Sequence, residues 1–432
     1  MNKILTKKTL LEFSRILLGI TFLFSGFVKA IDPRGFAYKI EDYFTAFGLS
    51  VLDSLALPLA VALCLLEFVL GAFVLLGLYR KWSTRILLFV MLVMTPLTFY
   101  LALKNPVSDC GCFGDAWIIS NWETFFKNIV LLSCAVFLYL NPERISNVFT
   151  GKTYWLASFY VFGFIFLFTI YNTIYEPVVD FRPYKIGANI KESTSVPEGQ
   201  GDVYEHTLIY EKDGEKKEFT EENYPWQDTT WRYVDRSDKL VKEGIKPKIT
   251  DFSVEHLRTN SNGTEFIEEE DITEDILDDP SYTFLMISYS LHEMDEANIS
   301  KFEDIYNYAQ ERGYNFYVLT SSLKEDILRW KKDNAVDFEF CLTDERTLKT
   351  ITRANPGMIV LKGGVIVEKW ADFQVPDENS LTEVLFKPSS LNPRTVYWNA
   401  CLSFFFPLAI LLGIDFLAYR KKRKTNNKEE TK

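Results

Sequence analysis

The sequence predicts a multi-pass α-helical membrane bundle that carries an extracytoplasmic α/β domain. Three observations point there. Of 432 residues, 48% are hydrophobic and 16% aromatic, an aromatic share high for a wholly water-soluble chain. The apolar residues concentrate from Leu10 to about Glu176 and again from Val396 to Tyr419. Charge divides along the same line: residues 177–394 hold 26 Lys and Arg against 44 Asp and Glu, a net of −18, where the whole chain carries −11.

A spanning helix needs roughly 20 apolar residues, and six stretches qualify: about 10–30, 54–77, 86–104, 122–140, 154–176 and 396–418. The first lacks a small-x-small cleavage site and reads as a retained helix, not a signal peptide. Between the first two, residues 32–50 alternate aromatic and charged positions at helical spacing, as expected of an amphipathic helix in the membrane interface. Lys3, Lys7 and Lys8, then Arg80, Lys81 and Arg85, then Arg144 and Lys152, then Arg420 to Lys424 all fall on one side of such a bundle. The positive-inside rule makes that side cytoplasmic. Both termini are then expected in the cytoplasm of a bacterial inner membrane, with the acidic domain in the periplasm, where disulfides are permitted.

The best candidate for chemistry is Asp109-Cys110-Gly111-Cys112-Phe113-Gly114-Asp115, between the third and fourth runs. Gly111 and Gly114 allow tight turns, and Cys110 and Cys112 form a candidate redox pair. Lys29, at the outer end of the first helix, is expected to meet Asp32, Asp109 or Asp115 and would favour a thiolate nearby. Arg15 and Glu67 are charges inside spans whose depths differ by roughly 7–8 Å at the helical rise. Pairing them would relieve a cost of about 2.5–3.5 kcal/mol for each charge. Cys64 and Cys134 sit deeper and read as small hydrophobes.

The soluble part opens with a hairpin about Asp213-Gly214 and a second pair about Asn262-Gly263. The acidic run Glu268 to Asp279 reads as a solvated helix or loop, since it lacks calcium-loop spacing. From Tyr282 the order is strand 282–288, helix 296–312, strand 315–320, helix 323–334, an edge element 338–342, helix 345–353, and a hairpin 358–361 and 365–370 turned by Gly363-Gly364. Domain limits follow: a four-helix membrane domain over 1–145, a fifth helix over 146–180, a β-rich connection over 181–250, the α/β domain over 251–394, and a last helix with a basic tail over 395–432.

Arg15-x-x-x-Gly19, Ser25-Gly26-x-x-Lys29, Asp32-Pro33-x-Gly35-Phe36 and Glu67-x-x-x-Gly71 with Gly77 together resemble the opening of the DoxX membrane family. The Cys110 to Gly114 loop is similar to its MauE branch, named for methylamine utilisation. The resemblance covers about residues 9–141 and implies a four-helix bundle that supports maturation of a disulfide-rich dehydrogenase beside a thioredoxin-like partner. The later strand and helix order, with Asn355-Pro356 before the final hairpin, resembles the thioredoxin fold, in which Pro356 would be the cis-proline. The departure is at the junction Ser288-Tyr289-Ser290-Leu291-His292-Glu293-Met294-Asp295, which has no cysteine. Without a thiolate, exchange cannot start there, so this domain is expected to bind without redox chemistry. His292 reads as a polar surface residue and Cys341 as a structural thiol.

Two functions follow. One is a membrane thiol-disulfide oxidoreductase in which Cys110 and Cys112 exchange electrons with a partner thiol and, as a possible cofactor, a quinone. The alternative is a non-enzymatic scaffold or assembly factor whose soluble domain binds a periplasmic client. An acidic soluble part argues against nucleic acid, and His206, His256 and His292 lack metal-ligand spacing.

Overall fold

The computed structural model describes residues 2–429 apart from 152, 197–198, 202, 213, 221–222, 227, 229, 243, 261–264 and 387–392. The expected turn residues Asp213, Asn262 and Gly263, and Lys152, lie outside the described residues. The chain divides into two units, Met1–Arg182 with Thr350–Gly357 and Trp370–Lys432, and Pro183–Lys349 with Met358–Lys369. The expected boundary at 394 therefore differs: residues 350–357, and those from 370 onward, group with the helices.

The first unit is helical: α1 Asn2–Ile31, α2 Pro33–Ala46, α3 Ala56–Leu76, α4 Arg80–Lys104, α5 Asn121–Leu140 and α6 Tyr154–Ile174. In chain order the second unit then supplies α7 Ile190–Thr194, β1 Val203–Lys212, β2 Glu215–Thr220, β3 Arg232–Lys242, β4 Glu255–Thr259, β5 Phe266–Asp271, α8 Thr273–Asp278, β6 Tyr282–Ser288, α9 Ile299–Arg312, β7 Asn315–Thr320, α10 Lys324–Asn334, β8 Glu339–Leu342 and α11 Glu345–Ile351. Strands β9 Gly357–Lys362 and β10 Val365–Ala371 close its sheet, and α12 Glu378–Phe386 and α13 Pro393–Glu429 end the chain.

Six of these helices, α3 with the 3-10 turn Ser50–Leu55 that leads into it, supply stretches long and apolar enough to cross a membrane: Lys7–Ile31, Ser50–Leu76, Arg80–Lys104, Asn121–Leu140, Tyr154–Ile174 and Trp398–Tyr419. Their outward surfaces remain apolar, as a lipid solvent requires, with Phe89, Phe159, Leu167 and Phe406 all exposed. Exposed tryptophans mark the helix ends: Trp117, Trp122 and Trp398 at one side, Trp82 and Trp155 at the other. Such belts belong at membrane–water boundaries.

Glycine sets the crossing of α1 and α3. A Cβ added at Gly26 of α1 would collide with the backbone of Phe68, and one added at Gly71 of α3 would collide with the backbone of Leu23. Small residues of this kind let membrane helices touch backbone to backbone, where van der Waals contact has to replace the absent hydrophobic drive. Buried Leu18, Phe22, Leu70 and Val74 then pack with Leu87, Met91 and Leu131 of α4 and α5. Asn128 donates to Thr98 Oγ1 at 3.2 Å across the α4–α5 contact. Helix α13 joins α3 and α6 through Phe404, whose ring meets Phe68 edge-on at 5.0 Å. Near its far end Asp415 accepts from the Thr150 amide at 3.0 Å and from the Thr153 hydroxyl at 2.6 Å.

The second unit holds a three-stranded sheet ordered β2-β1-β3 and a seven-stranded sheet ordered β10-β9-β6-β7-β8-β4-β5. Strands β6, β7 and β8 run parallel, with α9 and α10 as the crossovers that parallel strands need. Both β6 and β9 are almost wholly buried, as expected of central strands covered on two faces. This strand order, with the Asn355–Pro356 peptide cis just before β9, is that of a thioredoxin-like domain. Two expectations change. Strand β8 is interior, because antiparallel β4 adds to its free side. The acidic run ends in helix α8, as expected, but begins as strand β5; the carboxylates of β5 sit on an exposed edge strand, where Arg258 pairs with Glu268 at 3.6 Å. Charged side chains on an edge strand discourage pairing with other chains.

The glycine crossing carries a testable consequence. Gly26→Val or Gly71→Val should push α1 from α3 and destabilise the helical unit by about 1–3 kcal/mol or more, read as a lowered unfolding temperature in detergent. Gly163→Val, where an added Cβ meets open space, should stay close to wild type.

Candidate redox loop

Cys110 and Cys112 are joined by a disulfide in the segment between α4 and α5. Gly111 holds φ +63°, a left-handed conformation that favours glycine, and this lets the chain reverse within three residues. Asp109 caps the turn by accepting from the Gly111 amide at 2.8 Å. Both cysteines are buried and pack with Leu101 and Val107 against Tyr43, Met94 and Leu97. Next to them, Ser120 and Glu123 form a reciprocal cap that starts α5.

Helix α2 grips one end of the loop. Its first turn is fixed by Asp32, which accepts from the Gly35 amide, and by Pro33 at the first helical position. Further along, Lys39 pairs with Asp109 at 2.9 Å, and the Tyr43 hydroxyl donates to the Cys110 carbonyl at 3.0 Å. Burial alone would raise the Asp109 pKa, yet Lys39 and the Gly111 amide more than reverse this and hold it below the usual carboxylate range. Burial, with Asp109 beside it, pushes the Tyr43 phenol up, which keeps it a neutral donor.

The other anchor comes from α1 and α3. At their glycine crossing Lys29 Nζ reaches Glu67 at 2.7 and 2.8 Å, and both side chains are largely buried. Ser25 Oγ lies 2.7 Å from Glu67 Oε2 and 2.5 Å from the Cys112 carbonyl oxygen. A hydroxyl has one proton, so it serves one of these acceptors at a time. Phe113 leans on Phe24 at 5.5 Å, stacks on Trp117 at 5.6 Å, and carries Lys127 Nζ 4.2 Å from its ring centre.

Two expected pairings are corrected here. Lys29 meets Glu67 and not Asp32, Asp109 or Asp115, because Gly26 and Gly71 set which residues face each other, and counting from helix ends does not. Arg15 does not pair with Glu67. Its guanidinium instead donates to the carbonyls of Val74, at 3.1 Å, and Leu75 at the end of α3, to Glu12 at 3.1 Å and to Ser146 at 3.0 Å. The last carbonyls of a helix lack intrahelical partners and attract cations.

A second charged cluster lies beside the loop. Arg353 pairs with Asp32 at 2.6 Å and approaches Asp115 at 3.6 Å. Glu176 accepts from the Thr352 hydroxyl and the Arg353 amide, each at 2.7 Å, and from Arg182 at 2.9 Å. Burial would raise the Asp32 pKa, but the Arg353 and Arg182 charges outweigh it and lower it. Pro356 belongs to this same 350–357 segment. Nothing in the sequence singled out Arg353, Arg182, Lys39 or Tyr43, whose roles come from partners 2 to 321 residues away.

Cys64, Cys134, Cys341 and Cys401 are free thiols, and burial pushes the Cys341 thiol well up, which disfavours thiolate. His292 is exposed at the cysteine-free junction after β6. Among the described residues no group of three His, Cys, Asp or Glu gathers to hold a metal ion.

Residues 7–141 match the family described as "Methylamine utilisation protein MauE", and residues 204–243, covering most of β1 to β3, match "Domain of unknown function (DUF8463)". No curated protein matches the chain. One solved structure is similar, described as "Solution structure of a putative protein disulfide isomerase from Bacteroides thetaiotaomicron", at 13% identity and TM-score 0.22, covering 32% of this chain and 82% of that one. Residues 7–141, which hold α1 to α5, are thus MauE-like; the thioredoxin-like character of the second unit rests on its strand order and not on that match.

The Asp32–Arg353 pair gives a measurable outcome. Asp32 has a folded pKa below its ordinary 3.8, so its contribution is complete above that value and is lost as pH falls through the lower, folded one. The pair's contribution to stability in detergent should therefore stay complete and constant between about pH 5 and 8. Arg353→Met should cost about 3 kcal/mol, because it strands a buried carboxylate. Asp32→Asn combined with Arg353→Met should cost less than the two single changes summed.

Proposed function

We propose that this MauE-like membrane protein is a thiol-disulfide oxidoreductase that supports maturation of envelope proteins, with Cys110 and Cys112 cycling between disulfide and dithiol. The observation that carries the reading is the bonded pair itself, held in a glycine turn and anchored from α1, α2 and α3. A disulfide at the mouth of a helical bundle can meet both a water-soluble client thiol and a lipid-soluble acceptor. A quinone fits the second role: it takes two electrons and two protons as the dithiol closes to the disulfide. The family description supports a place in methylamine utilisation or a similar maturation pathway. In this reading the termini face the cytoplasm of a bacterial inner membrane, the cysteine loop and the thioredoxin-like unit face the periplasm, and that unit binds the client.

One observation favours a second reading. The junction between β6 and α9, Ser288 to Asp295, offers no thiol to pass electrons onward, which suits a scaffold that docks a client while Cys110–Cys112 only braces a turn.

Alkylation with a mass tag on membranes separates the two. The redox reading expects Cys110 and Cys112 to shift between bonded and free as reductant and oxidant are applied, and client maturation to fail in Cys110→Ser and Cys112→Ser. A pair locked in one state under both conditions, with maturation intact in both variants, leaves the scaffold.

A further inference from the structure

The environment of the disulfide is not symmetric. Two groups that can donate converge on Cys110 Sγ, the Cys112 amide at 3.2 Å and the Thr124 hydroxyl at 3.6 Å. Thr124 lies on the first turn of α5 and is fully buried. Among the described residues its hydroxyl has no other partner. Bonded sulfur has no proton, so both groups point their hydrogens at Cys110 and gain strength if that sulfur becomes an anion. Cys112 is held differently, by its carbonyl through Ser25, and no donor reaches its sulfur among the described residues.

Resting on the oxidoreductase reading, we infer that Cys110 is the leaving sulfur, stabilised as a thiolate by Thr124, and that Cys112 is the sulfur that bonds to the client. The co-reactant is a client dithiol. One client thiolate attacks Cys112 Sγ; a client–Cys112 bond forms, the Cys110–Cys112 bond breaks, and its electron pair stays on Cys110 Sγ. The second client thiolate then attacks the client sulfur of that mixed disulfide, which closes the client disulfide and expels Cys112 as a thiolate. The client loses two electrons, the pair gains them, and the two protons released by the client thiols end on Cys110 and Cys112. A leaving thiol departs faster as its pKa falls, which is the advantage Thr124 confers.

The test uses full-length protein in membranes, with dithiothreitol as the dithiol. Thr124→Val keeps the side-chain shape and removes the hydroxyl; reduction of the disulfide should slow about tenfold, the size of one hydrogen bond to a charged group, and Thr124→Ser should restore it. Iodoacetamide alkylation against pH supplies a readout that a purely structural role would not move. Cys110 in the Cys112→Ser variant should titrate with a lower midpoint than Cys112 in the Cys110→Ser variant, and adding Thr124→Val should raise the Cys110 midpoint alone. Unchanged reduction and midpoint in Thr124→Val, or the lower midpoint on Cys112, would overturn the assignment and leave the oxidoreductase reading standing. A disulfide that resists reduction in wild type and variants alike would overturn both.

Discussion

The ion pair between Lys29 and Glu67 is the constraint on which the rest of the helical unit depends. Each charge alone would be costly inside a membrane span, and removal of either would strand the other. Their 2.7 Å approach requires α1 and α3 to touch, and Gly26 and Gly71 supply the contact. With that register set, Ser25 lies between the carboxylate and the Cys112 carbonyl, so the position of the disulfide follows from a crossing of two helices that contribute none of its atoms.

Around that fixed point the loop is held by charges of alternating sign at the membrane boundary. Lys39 takes Asp109, and Arg353 takes Asp32 while reaching towards Asp115. Asp109 and Asp32 are each satisfied by a cation and by a backbone donor, which is how buried charges persist without water. The arrangement leaves the two sulfurs in apolar surroundings, with directed donors on one of them only. Thiol chemistry depends on where a negative charge is tolerated, so the asymmetry between Cys110 and Cys112 is the feature most closely tied to mechanism.

Much of this protein is legible in its sequence. Hydropathy alone places six spans, because a bilayer demands about 20 consecutive apolar residues and leaves backbone groups no partner but the helix itself. Alternation of side chains and the Gly363-Gly364 turn locate β6, β7, β9 and β10 for similar local reasons. The Cys110-Gly111-Cys112 motif stands out because two thiols one residue apart, with a glycine between them, have few ordinary uses.

What the sequence by itself determined is therefore local: which segments are helices or strands, where the chain turns, and which cysteines stand close enough to bond. Tertiary structure alone decided who partners whom. Lys29 went to Glu67 and Arg15 to the carbonyls of α3, against the expectation from helix depth, because side-chain pairing depends on the rotation and crossing point of two helices. Those are set by a few ångströms of backbone contact that hydropathy does not encode. The same holds for Thr124 and Arg353, an unremarked threonine in an apolar helix and an arginine 321 residues from Asp32. Their roles exist only where distant parts of the chain meet, since a hydrogen bond reaches about 3 Å and no sequence spacing specifies that.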